Sequence, residues 1–218
     1  NTLVSRYPGI VFHQKHSHTL FTQDELPFEL SDLPTSFSKF RRLIEPITAS
    51  PPTLRPPSMP PSPSPEVASE FLKTNIHEKN SCTFEGGENA GHQHLNSYFS
   101  QKLASSYKLT RNGLDGMDYS TKFSPWLSNG CLSVRSVIAR LRDYENDIES
   151  NDSTYWIYFE LLWREYYQWY AHKHQSALFT FKGISASNPN TSFYPQRYQK
   201  WCHGNTPFPI INALMHQL

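Results

Sequence analysis

Apolar residues recur at intervals of three and four from about Ser81 onward, and that rhythm predicts helices. In "GGENAGHQHLNSYFSQKL" a Gly-Gly turn precedes Leu95, Tyr98, Phe99 and Leu103, which make one apolar stripe. In "LSVRSVIARLRDY" Ser133 stands as an N-cap before Val134, Val137, Ile138 and Leu141. The longest pattern, "NDSTYWIYFELLWREYYQWYAHKH", takes Asp152 or Ser153 as its cap and runs on for about five turns. Tyr155, Phe159, Leu162, Tyr166 and Trp169 fall on one stripe of it, and Trp156, Glu160, Trp163 and Tyr167 on a neighbouring one. A helix apolar on two stripes is a buried helix. The last stretch, "YPQRYQKWCHGNTPFPIINALMHQL", predicts a short helix, a Gly/Pro break and the start of another. The fold class expected from these elements is mainly α.

The first 46 residues have a different rhythm. "GIVFHQKHSHTLF" places β-branched and aromatic residues at strand-like intervals, and "DELPF" and "DLPTSF" supply turns. Asp32 or Thr35 can cap a short helix through "SFSKFRRLIE", with Phe37, Phe40 and Ile44 at helical spacing. This block has too little apolar surface to fold alone. Between the two halves, eight of the 15 residues from Pro51 to Pro65 are proline, which excludes helix interior and central strand and predicts an extended linker.

Composition narrows the picture. The 218 residues suffice for one domain, or a small one with part of another, and 14 % of them are aromatic, a supply that suits a large core or a flat ligand. A formal net charge of +1 does not mark a nucleic-acid binder by bulk charge. After Glu165, however, no acidic residue occurs, while Lys173, Lys182, Arg197 and Lys200 remain, so the carboxyl third would tolerate a phosphate backbone. Cys82, Cys131 and Cys202 are far apart and read as reduced thiols of an intracellular protein. No apolar run approaches the roughly 20 residues that span a bilayer, so no membrane partner is expected. The chain begins at Asn1 without a signal-peptide pattern and reads as cut from something longer, which leaves its compartment unread.

Two places can carry chemistry. The run "DYSTKFSPWLSNGCLSVR" sets Ser120, Thr121, Lys122 and Ser124 at one bend, a set of hydroxyls, backbone donors and one cation that suits a diphosphate as well as ordinary turn capping. Neither a Walker loop nor GxGxxG is present. On the long helix, Glu160 and Arg164 stand four apart within the aromatic wall. They read either as an ion pair stitching helices together or as polar groups of a cavity for a flat heteroaromatic ligand. Histidine pairs occur at His16-x-His18, His92-x-His94 and His172-x-His174; the last two are poor chelates, because residues i and i+2 of a helix point apart, and no metal is expected. Nothing matches a Ser-His-Asp or Cys-His nucleophile arrangement.

These residues resemble the photolyase/cryptochrome family, and most closely its DASH-type cryptochromes. The resemblance runs through "TLFTQDELPFELSDLPTSFSKFRRLIE", "FEGGENAG", "YKLTRNGLDGMDYSTKFSPWLSNGCLSVRSV", "STYWIYFELLWREYY" and "WCHGNTPFPIINALM". It implies that residues 1–46 close an α/β antenna domain, that 47–80 are the Pro-rich linker, and that 81–218 are the amino-terminal half of a helical FAD-binding domain. It implies flavin contacts for Tyr107, Ser120, Thr121, Lys122, Phe123 and Ser124, with Trp156 and Arg164 as neighbours. By the same matching, Glu160, Trp163 and Tyr167 face a flipped pyrimidine dimer, and Arg111 meets a DNA phosphate. Several positions depart from the family pattern. Thr206-Pro207 stands for TG, Ile211-Asn212-Ala213 for VDA and Met215-His216-Gln217-Leu218 for MRxL, and Thr191 occupies the place of an outer relay tryptophan.

The function so implied is light-dependent repair of cyclobutane pyrimidine dimers by an FAD- and DNA-binding protein that favours single-stranded, UV-damaged DNA. A folate antenna and a monomeric state go with it. Two other readings share the same site: a flavin blue-light photoreceptor that signals through partners, and an inactive truncated fragment. In the family the remaining flavin walls follow the position of Leu218, so residues 1–218 alone are expected not to hold FAD.

Overall fold

The computed structural model describes residues 2–12, 18–47, 84–113 and 116–218. The expected Pro-rich linker after Ile47, His16 and Cys82 lie outside the described residues. In chain order the helices are α1 (Thr2–Arg6), α2 (Phe37–Ile44), α3 (Glu88–Ser100), α4 (Tyr107–Thr110), α5 (Ser124–Ser128), α6 (Val134–Asp147), α7 (Asp152–His174), α8 (Pro195–Cys202) and α9 (Pro209–Gln217), joined by short 3-10 turns. No strand occurs among the described residues, and no helix among them is long and apolar enough to cross a membrane. The strand expected around "GIVFHQKHSHTLF" is therefore absent from residues 9–12 and 18–21. The backbone N–H groups of Leu20 and Phe21 instead donate to the carboxylate of Glu165, at 2.7 and 3.2 Å, where a strand would spend such donors on a neighbouring chain.

The chain forms two compact units, Asn1–Lys173 and His174–Leu218. In the first, α7 is the centre. Ile157, Tyr158, Leu161, Leu162, Tyr166 and Trp169 are buried along it, and Phe37, Phe40 and Ile44 of α2, at the helical spacing expected, belong to the same core. Residues 18–47 thus take their burial from the helical body, which is why their own apolar surface need not suffice. The cap of α7 falls one residue before the expected pair: Asn151 Oδ1 accepts from the N–H groups of Ser153 and Thr154 at 2.8 and 3.1 Å. Ser133 caps α6 as expected, its hydroxyl accepting from Arg135 N at 3.2 Å.

In the second unit α8 and α9 each begin with proline in the first turn, and Gly204 turns the chain between them at φ 59°. A Cβ on Gly204 would stand 2.8 Å from Nε2 of His216 and displace that ring, and the positive φ is what calls for glycine there. Asn212 holds this turn together. Its Oδ1 accepts from the N–H and hydroxyl of Thr206, at 2.8 and 2.7 Å, and its Nδ2 donates to the Thr206 carbonyl at 2.9 Å. An aspartate at this position could accept but not donate, so the departure from the family's VDA pattern has a local physical use.

Candidate functional site

The bend at residues 118–124 is shaped by two non-glycine residues in the left-handed region, Ser120 at φ 60° and Lys122 at φ 54°. Such a conformation costs energy for a side-chain-bearing residue and persists only where neighbours over-determine it. Two neighbours do so here. The Phe123 ring is buried among Tyr98, Phe99 and His94. His94 of α3 places Nε2 at 2.9 Å from the Thr121 carbonyl. A carbonyl only accepts, so Nε2 carries the proton. The His94 ring in turn stacks on Trp126 at 4.8 Å, and Trp126 donates its indole N–H to the Glu85 carbonyl at 2.9 Å.

This bend and α7 enclose a cavity of ≈ 510 Å³ lined by Phe84, Tyr107, Ser120, Thr121, Lys122, Phe123, Ser124, Pro125, Leu127, Ile157, Glu160, Leu161 and Arg164. Of the expected site residues, the structure thus brings together Tyr107, the five of the bend, Glu160 and Arg164. A second cavity of ≈ 620 Å³ shares Ser124, Leu127 and Arg164 with the first and adds His18, Ser128, Asn129, Gly130 and Gln168. The lining offers hydroxyls, one carboxylate, two cations and apolar walls, a mixed set suited to a ligand with both a polar, anionic part and a flat part.

Four expected residues lie off this lining. Trp156 sits beneath the Arg111 guanidinium, which lies 4.6 Å from its ring centre, and packs on Phe159 at 4.6 Å. Trp163, expected to face the cavity, stacks on Phe37 at 3.6 Å and 15°, because α2 packs against that face of α7, and lies 5.7 Å from exposed Tyr167. Arg111 donates through Nη1 to Glu160 Oε1.

Of the two readings of Glu160 and Arg164, both residues line the cavity and the direct ion pair between them is not formed. Glu160 takes Arg111, and Arg164 Nη1 donates to the His18 carbonyl at 2.6 Å. The carboxylate that is fully buried is its near neighbour Glu165, which accepts from Leu20, Phe21 and the Trp169 indole N–H at 2.7 Å. Burial pushes its carboxyl up, and these three donors with Arg164 pull it part of the way back. Burial likewise raises the Tyr107 phenol, helped by the Glu160 charge and opposed by Arg111. Desolvation lowers Arg164.

Sequence reasoning missed Glu165 and His94. Both were in view, Glu165 as the last acid of the chain and His94 as half of an unlikely chelate. Their partners lie 145 and 27 residues away, which no local spacing announces.

A family model, that of the FAD binding domain of DNA photolyase, matches residues 156–218. The cryptochrome DASH of Idiomarina loihiensis is 51% identical over 99% of this chain and 48% of that protein, and that of Vibrio parahaemolyticus is 50% identical over the same shares. The chain therefore spans about half the length of these relatives. The crystal structure of a Synechocystis sp. cryptochrome is similar with a TM-score of 0.71 at 36% identity, over 92% of this chain and 44% of that one. The bend and the acidic and aromatic positions of α7 all fall within these matches, and the chain belongs to the photolyase/cryptochrome family, with DASH-type cryptochromes among its relatives.

Proposed function

We propose that this chain, within a protein of its relatives' full length, binds FAD at the cavity between the bend and α7, binds DNA beside it, and repairs cyclobutane pyrimidine dimers in light, favouring single strands. The observation that carries the reading is the meeting of the Ser120–Ser124 bend with Glu160 and Arg164 around one cavity. The residues fit the cofactor. Ser120, Thr121, Ser124 and Lys122 offer hydroxyls and a cation to a diphosphate. Phe84, Ile157 and Leu161 offer apolar wall to rings, and Arg164 adds a second cation.

FAD, when bound, supplies light absorption and the electron that the repair reaction needs. The residues of this chain hold and exclude: Tyr107 and Phe123 keep water from the apolar side, and Glu160 stands as an acceptor for a pyrimidine imide N–H. In this reading Arg111 takes a strand phosphate, and Trp163 and Tyr167 offer ring surface to a damaged base. Residues 1–46 close an α/β domain that carries a folate antenna, 47–80 link it to the helical domain begun at 81, and the protein acts as an intracellular monomer.

The test is to load a protein of the relatives' full length that carries this chain with FAD, illuminate it with blue light and measure dimer loss in single- and double-stranded oligonucleotides. Dimer loss faster in the single strand supports the reading. Bound flavin that photoreduces while every dimer survives overturns repair and leaves a photoreceptor. Trp163→Ala is expected to weaken dimer-containing strands selectively, by roughly 1–3 kcal/mol for one lost ring stack. Arg111→Ala weakens damaged and undamaged strands alike and flattens the salt dependence.

A further inference from the structure

Arg111 has a partner that its proposed role does not provide for. Its Nη1 donates to Glu160 Oε1, one face of its guanidinium lies over the Trp156 ring at 4.6 Å, and its charge bears on buried Tyr107. The guanidinium is planar and its donors point outward along its edges, so with one face on the indole it recognises anions only along those edges. The edge that carries Nη1 is taken by a carboxylate that also lines the cavity. Both partners remain reachable by solvent, with 28% of the Arg111 side chain and 36% of the Glu160 side chain exposed, and neighbouring Leu109 is 87% exposed.

We infer that Arg111 is a positioning residue with two exclusive partners, Glu160 before a strand binds and a strand phosphate afterwards, so that strand binding releases Glu160 to accept a hydrogen bond from a ligand in the cavity. The inference rests on the DNA-binding reading given above. A strand phosphate presents two oxygens that share one negative charge, as a carboxylate does, so the fork can take either, and the neighbouring phosphates of the strand add the attraction that favours the exchange. Glu160, left without its counter-charge, then gains most from an N–H donor inside the cavity. By linkage the effect is reciprocal: a cavity ligand that donates to Glu160 loosens Arg111 and tightens the strand.

The experiment is a double-mutant cycle on binding of an undamaged, fluorescein-labelled oligothymidylate to the intact protein, read by anisotropy in the dark. Glu160→Gln keeps the side-chain shape and removes the charge, and Arg111→Met keeps the stem over Trp156 and removes the fork. Exchange predicts that Glu160→Gln tightens the strand by about two- to fivefold, the worth of a half-exposed ion pair, and that this gain vanishes when Arg111 is Met. An equal gain in both backgrounds overturns the exchange, because it marks only the removal of a repelling charge. No gain in either background overturns it too. If Arg111→Met leaves both affinity and salt slope unchanged, the phosphate role of Arg111 itself has failed, a result distinct from failure of the exchange. Arg111→Gln gives the same comparison through a second side chain of similar length.

Discussion

Residues 2–173 and residues 174–218 are built by different means. The first stretch buries Phe21, Phe40, Phe99, Phe123, Leu162 and Trp169 almost completely and ties distant segments together through Glu165 and His94. In the second, Gly204 is the one buried residue among those described, and Phe179 and Phe208 are 88% and 63% exposed. Its helices, of eight and nine residues, rest on proline starts, a glycine turn and the Asn212 clamp. Helices so short are marginal in water on their own. Local devices are enough to specify where a helix begins and ends, whereas a shaped cavity needs a core beneath it, and only the first region has one.

The sharpest way to break this contrast is Glu165→Ala. It strands three N–H donors in the core, at about 1–3 kcal/mol each, so a loss of roughly 3 kcal/mol or more is expected in urea unfolding followed by circular dichroism. A loss below about 1 kcal/mol would show that the carboxylate is not what ties residues 18–21 to α7. The same group gives the first region a pH signature. Its carboxyl is raised in the fold, so between the ordinary glutamate value and the raised one the folded state holds more protons than the unfolded state. Stability therefore falls as pH rises through that window and levels off above it, and Glu165→Gln removes this slope from the profile.

Next in size is cofactor retention. A polypeptide of residues 1–218, mixed with FAD and desalted, is expected to lose the flavin, because the bend and α7 wall it on part of its surface only and, by the family resemblance, the remaining walls follow the position of Leu218. Stoichiometric flavin surviving the column would refute this. His94→Ala comes third. It removes one hydrogen bond to the bend, for about 1 kcal/mol of stability, and is expected to weaken binding of pyrophosphate at Ser120–Ser124 more than Asn129→Ala does, as measured by calorimetry. Smallest is Asn212→Ala, expected to leave global unfolding within about 0.5 kcal/mol while speeding amide exchange at Thr206 and Phe208.

What was legible in the sequence follows the same division. Helices α2, α3 and α6 could be read from periodicity because each buries one stripe, as Phe37, Phe40 and Ile44 do. By contrast, α7 is longer than the five turns expected and seals a stripe through Ile157, Leu161, Leu162 and Trp169, leaving Tyr155 and Tyr167 of the two expected stripes exposed. The bend could be read from its residue types, and the family resemblance placed it beside Glu160. The partners could not be read. A helix turns 100° per residue, so Glu160 and Glu165 lie on different faces of α7, and only tertiary packing decides which of them is sealed from water. Trp163 shows the same limit: its stripe was apparent, but Phe37, which comes to cover it, lies more than a hundred residues earlier in a block of another rhythm.

The Trp169 indole, fully buried and donating to the Glu165 carboxylate, is also a built-in reporter. A charged acceptor draws the indole N–H resonance downfield and shifts the emission of a ring held in a water-free setting, so both signals register whether that carboxylate is ionised. Four other tryptophans contribute to the steady spectrum, but Trp169 alone among them is held by an acid. Proton occupancy at the centre of the fold can therefore be followed in the unaltered chain, without a label and without unfolding it.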